Sequence, residues 1–197
     1  MTALGAALSE AQGNFPPLRQ AKDEVSYLGS KSTGDILIDQ AFTRELLSRG
    51  IQARDFSILH FATHGQFGGT AESTFLLAWK TELKINELSD LLQTQERRQR
   101  SPIDLLVLSA CQTAQGDRRA ALGISGAAFR AGARSILASL WSINEQSSVD
   151  FVKLFYDNLL TEGQPKADAV RTAQIEMIRQ GQPIYHWAPF TLIGKWT

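Results

Sequence analysis

Two residues of this chain have the types and the placement to do covalent chemistry together. Cys111 is the only cysteine among 197 residues. It therefore has no disulfide partner within the chain, and a lone cysteine accompanied by a histidine elsewhere is a candidate nucleophile. His64 lies 47 positions upstream. Each follows an apolar run of strand length: Ile58-Leu59-His60-Phe61-Ala62-Thr63-His64-Gly65 in one case, Leu105-Leu106-Val107-Leu108-Ser109-Ala110-Cys111-Gln112 in the other. The thiolate is the nucleophile, and a free thiol with a pKa of about 8.5 is mostly protonated at neutral pH. An imidazole beside it can help ionise the thiol and later protonate a leaving amine. Gly65 gives backbone room to approach, and its N–H together with that of Cys111 offers two donors to a developing oxyanion. This is the chemistry of a Cys-His hydrolase.

The elements that must position these residues alternate between strand and helix. A buried parallel strand reads as a continuous Val/Ile/Leu run, and in open α/β sheets chemistry gathers beyond the carboxyl ends of such strands. Helical spacing is read over Ala21 to Leu28, a short strand over Asp35 to Ile38, and a helix capped by Asp39 that runs to Arg49 and stops at Gly50. After the His64 strand come a glycine-containing stretch to Thr74, a short strand Phe75 to Ala78, and a helix Ile85 to Thr94. Past Cys111, a polar loop (Gln112 to Arg119) leads to a helix rich in small residues, Leu122 to Arg130. A buried strand (Ser135 to Leu140), an amphipathic helix (Gln146 to Leu160), a second helix (Ala167 to Gln180) and a last apolar run (Ala188 to Ile193) complete the pattern. Such alternation predicts an α/β fold with a mostly parallel central sheet and helices on both faces, a three-layer arrangement. Residues 1–17, rich in Ala and Gly and ending in Phe15-Pro16-Pro17, read as a linker, with the compact domain over residues 18–197.

Composition narrows the function classes. Twenty basic and twenty acidic side chains cancel, which gives no overall field for nucleic acid or an anionic membrane. No stretch approaches the roughly 20 apolar residues of a spanning helix. The single cysteine cannot supply the disulfides typical of secretion, so a cytoplasmic location is expected. The charge run Glu96 to Arg100 reads as solvated surface. His60, four residues before His64, reads as a packed or hydrogen-bonded strand histidine. With no second cysteine and no carboxylate near it in sequence, neither a metal nor a cofactor is expected. His186, beside Trp187, reads as structural. Cys111 taken alone would read as a buried inert thiol, and His64 is what argues against that.

Four segments, in order, carry a resemblance. Thr63-His64-Gly65 after an apolar strand, Ser109-Ala110-Cys111-Gln112-Thr113 after another, Gly132-Ala133-Arg134-Ser135-Ile136-Leu137-Ala138-Ser139-Leu140-Trp141, and Trp187-Ala188-Pro189-Phe190 resemble the CHAT domain. This is the caspase-like or separase-like cysteine peptidase domain commonly found with tetratricopeptide repeats. The spacing from His64 to Cys111 is near the roughly 50 residues known for caspases. The resemblance implies a caspase-like fold, His64 and Cys111 as a catalytic dyad, a polypeptide substrate cleaved through a thioester, and an upstream repeat or sensor domain. The chain departs from the common family form at Ala114, where a glycine usually stands, and in its short loop after Cys111. A caspase-like pocket would draw its wall from Trp141, Ser142, Asn144 and Glu145, and Glu145 or Asp117 would favour a basic residue before the scissile bond. Asn144 and Glu145 equally suit the start of a helix, and Trp141 a core position. Two other classes stay open: a non-proteolytic signalling or scaffold module retaining the fold, and another Cys-His enzyme such as an acyltransferase.

Overall fold

The computed structural model describes residues 1–66, 72–99, 102–109 and 132–197. Cys111, the loop expected after it (Gln112 to Arg119, with Asp117) and the helix expected over Leu122 to Arg130 lie outside the described residues. Six strands form the main sheet: β1 (Thr2–Ala7), β2 (Thr33–Ile38), β3 (Ile58–Ala62), β7 (Leu105–Leu108), β8 (Ser135–Ser139) and β9 (Phe190–Gly194), in the order β2-β1-β3-β7-β8-β9. The first five run parallel, and β9 closes the edge antiparallel to β8. A smaller antiparallel sheet, β4 (Gly65–Gln66), β5 (Phe75–Ala78) and β6 (Thr81–Lys84), continues directly from the end of β3.

Strand alternation divides the apolar side chains between two faces. On one face Leu4, Leu59, Phe61, Leu106, Leu108 and Ile136 pack with Leu47 and Ile51 of α2 (Arg44–Ala53) and with Leu88 and Leu92 of α3 (Ile85–Gln99). On the other, Ala3, Ile58, Leu105, Val107 and Leu137 pack with Leu28 of α1 (Ala21–Lys31). Phe151, Val152, Phe155 and Tyr156 of α4 (Glu145–Tyr156) and Ala169, Ala173 and Met177 of α5 (Lys166–Arg179) complete that layer. The three-layer α/β expectation is met.

Residues 1–17 are not a linker. Thr2–Ala7 forms β1, paired on one side with β2 and on the other with β3. Its sequence, Thr-Ala-Leu-Gly-Ala-Ala, has no β-branched residue after Thr2, because helix α1 lies close over it. A Cβ added at Gly5 would meet both Ile36 Cδ1 and Val25 Cβ at 2.9 Å. Small residues are what this strand position demands. Two helix boundaries also move. Thr43, not Asp39, caps α2, its hydroxyl accepting from Leu46 N–H at 3.2 Å, and α2 continues through Gly50 to Ala53. At Gly50 the lack of a side chain lets the helix sit against Leu4 of β1, whose Cδ1 would lie 3.2 Å from an added Cβ. Helix α4 ends at Tyr156 and passes into a wider turn over Asp157–Thr161.

Candidate active site

Register places the strand that precedes His64 beside the strand that precedes Cys111 in sequence. Strands β3 and β7 are parallel neighbours, and Phe61 pairs with Leu108. In sequence His64 and Cys111 each come three residues beyond that pair. Backbone bonds continue past the strands on the His64 side: Ser109 N–H donates to Phe61 C=O at 3.2 Å, and Leu8 N–H to Ala62 C=O at 3.0 Å. Thr63 Oγ1 donates to Leu77 C=O at 2.6 Å, and Leu77 N–H donates to His64 C=O at 2.8 Å. His64 is thereby fixed at the junction of the two sheets.

That last bond also determines where Gly65 points. With Leu77 N–H bonded to His64, the facing residues Gly65 and Leu76 form the pair that exchanges no backbone bonds. The Gly65 N–H is directed to the side away from β5.

His64 is only 5% exposed. Its Nε2 lies 2.7 Å from Pro16 C=O. A carbonyl only accepts, so Nε2 carries the proton, and in the neutral ring the basic lone pair is on Nδ1. Burial lowers the His64 pKa below its ordinary 6.5, partly opposed by the Pro16 carbonyl and by the Glu145 carboxylate, which favour the cation. At neutral pH the imidazole is a free base of defined tautomer. Phe15 adds a ring against His64, centroids 5.2 Å apart.

Pro16 and Phe15 belong to a strap over residues 9–20 that sequence reasoning missed. The strap is tied down at both ends. Asp39, at φ 48°, accepts from Ser9 N–H at 2.6 Å, from Ser9 Oγ at 2.7 Å and from Glu10 N–H at 3.1 Å. At the far end Gln20 N–H donates to Glu145 Oε2 at 2.8 Å, and Gln12 and Phe15 exchange backbone bonds in the middle. The Pro16-Pro17 pair that suggested a linker instead holds an acceptor in place for the histidine.

Beside His64 opens a cavity of about 440 Å³, reached by Pro16, Glu24, Ser109, Ser142, Asn144 and Glu145. Three residues nominated from sequence, Ser142, Asn144 and Glu145, share it with His64. Asn144 also caps α4, its Oδ1 accepting from Gln146 and Ser147 N–H, so the cap and the cavity wall coincide. Trp141 is not among the residues lining the cavity. Its indole N–H donates to Tyr185 C=O at 3.1 Å and its ring packs on Tyr185 at 5.5 Å. Glu24 was the residue overlooked. It reads as an ordinary acidic residue in the first turn of a helix, yet it is 4% exposed and reaches the cavity from α1.

No curated protein matches the chain significantly. Among solved structures it is similar to the crystal structure of the Arg-specific cysteine proteinase gingipain R. The TM-score is 0.65 at 12% identity, covering 99% of this chain and 46% of that one. The chain thus spans less than half of that protein's length, and the likeness is one of fold: a caspase-type sheet layered between helices. The sequence profile of the CHAT domain matches residues 3–195, reaching back through β1, and the chain belongs to the CHAT domain family.

Proposed function

We propose that this chain is a cysteine endopeptidase in which Cys111 attacks the scissile carbonyl and His64 is the general base and acid. The observation that carries the proposal is the register. Two parallel strands are neighbours, His64 and Cys111 each follow in sequence three residues past the pair Phe61–Leu108, and the buried His64 imidazole has a tautomer that leaves Nδ1 basic. His64 Nδ1 draws the proton from the thiol. The thiolate adds to the carbonyl carbon, and the oxyanion is met by the N–H groups of Gly65 and Cys111. Collapse expels the amine, which takes its proton from His64 and leaves a thioester. Water, deprotonated by His64, then adds to that thioester and frees the acid and the thiol.

The cavity beside His64 receives the side chain preceding the scissile bond. Glu24 and Glu145 line it, which favours an arginine or lysine there through a charge-assisted hydrogen bond. Asp117, outside the described residues, is the third acid proposed for this role, and Trp141 is proposed to border the pocket from its packing against Tyr185. We place the enzyme in the cytoplasm, in signalling, with a tetratricopeptide-repeat or other sensor domain upstream controlling access. Among the described residues no helix is long and apolar enough to cross a membrane.

The test is a panel of fluorogenic peptides differing only at the residue before the cleaved bond. Arg and Lys peptides should turn over about 10- to 100-fold faster than Leu or Glu peptides, the range of a hydrogen bond to a charged group. Cys111→Ala and His64→Ala should be inactive. Turnover by folded Cys111→Ala would overturn the nucleophile assignment.

A further inference from the structure

Behind the cavity lies a buried polar cluster that the hydrolytic steps do not use. His60 of β3 is 0% exposed, and every polar atom of its ring is engaged. Its Nε2 is 3.2 Å from Glu24 Oε2 on α1 and 3.1 Å from Ser109 Oγ at the end of β7. Its Nδ1 is 3.0 Å from the hydroxyl of Tyr156 on α4. One imidazole therefore joins the sheet to two of the helices of that face, α1 and α4, and its partner Ser109 stands two residues before Cys111 in sequence.

The proton positions follow from the partners. Tyr156 is fully buried, and its pKa is pushed well above 10 by that burial and by the nearby Glu24 carboxylate. It keeps its proton. The Glu24 carboxylate only accepts, so Nε2 carries the ring proton and is shared between Glu24 and Ser109, and in the neutral ring Nδ1 accepts from the Tyr156 O–H. The bonds all run in one direction, from Tyr156 through His60 to Glu24 and Ser109. Losing the Tyr156 hydroxyl leaves Nδ1 buried without its donor and the ring without its tie to α4, so the donor facing Ser109 is no longer held in place.

We propose that His60 is a positioning residue for the nucleophile: by donating to Ser109 under the control of Tyr156, it fixes the end of β7 from which Cys111 follows. This rests on the assignment of Cys111 as nucleophile. Two of the three partners, Glu24 and Ser109, also line the cavity, so the same cluster that sets the strand end forms part of the pocket.

The single cysteine makes the test direct, because iodoacetamide then reports on Cys111 alone. Its alkylation rate should be followed against pH in the wild type, Ser109→Ala, Tyr156→Phe and the double variant, with thermal melts confirming that each is folded. Both substitutions remove one hydroxyl and little volume. Each single change should slow alkylation at neutral pH roughly three- to tenfold, the net size of one hydrogen bond read as a rate ratio. The two residues touch His60, so coupling through it predicts that the second change adds less than about twofold to the first. Folded variants with wild-type alkylation profiles, or two effects that simply multiply, would overturn the inference while leaving the peptidase reading intact. A wild-type thiol that titrates like a free cysteine, in a protein that cleaves no peptide, would overturn the peptidase reading and the inference that rests on it.

Discussion

Replacing Asp39 with alanine should disable the site from a distance. Asp39 touches neither His64 nor the cavity, yet its carboxylate holds the start of the strap through Ser9 N–H, Ser9 Oγ and Glu10 N–H. Two of these bonds are part-buried and the third is exposed, so their net loss is about 2 kcal/mol in sum. The residue also sits at φ 48°, a left-handed conformation that costs alanine roughly 1 kcal/mol more than Asp or Asn. A total near 3 kcal/mol lowers the melting temperature by about 6–12 °C in a domain of this size. The assay pairs a thermal melt with steady-state turnover of an Arg peptide. Because the strap supplies Pro16 C=O to His64, kcat should fall at least about fivefold, the equivalent of one weakened hydrogen bond. Asp39→Asn keeps an acceptor for the two N–H groups and tolerates the backbone, so it should recover most of both losses. Wild-type stability in Asp39→Ala would refute the reasoning. Equal loss in Asn and Ala would refute it too, since charge at position 39, not the tie to the strap, would then be what matters.

The acidic limb of kcat/KM should lie below 6.5, because burial lowers the His64 pKa. Glu145→Gln removes a carboxylate that favours the cation, so that limb should move lower still, together with a weaker preference for Arg peptides. Stability carries the same sign. A histidine whose folded pKa is depressed favours the native state fully above 6.5, and that contribution is lost as pH falls through the folded value. His64→Gln should flatten the part of a denaturant-stability profile that falls across this window; an unchanged slope would contradict the assignment. Gly34→Ala should abolish folding: its φ is 143°, and an added Cβ would lie 1.8 Å from Ala3 C=O. Soluble Gly34→Ala with a wild-type melt would show that the β1–β2 pairing is not as described.

The strands that lead to His64 and Cys111 were legible because each is a long apolar run, and only a strand buried on both faces requires such a run. β3, β7 and β8 stand out for that reason. β1 did not, although it lies one strand from the sheet edge, between β2 and β3. Its role demands small side chains under α1, and Ala-Gly-rich sequence carries no strand signature. The strap was hidden for a related cause. Pro16 acts through its carbonyl, and a backbone acceptor leaves no mark on residue type. Glu24 and His60 have the opposite problem. Both types are visible, but only folding brings residues 36 positions apart within 3.2 Å. Asn144 and Glu145 were read as either pocket wall or helix start; they start α4 and also line the cavity beside His64.

The central claim is that Cys111 and His64 act as one unit, and covalent labelling with an acyloxymethyl ketone peptide ending in arginine tests it most directly. The account predicts stoichiometric modification of the wild type at Cys111, none in Cys111→Ala, and a loss of labelling in folded His64→Ala. Labelling of His64→Ala at the wild-type rate would contradict it, because the thiol would then owe nothing to the imidazole.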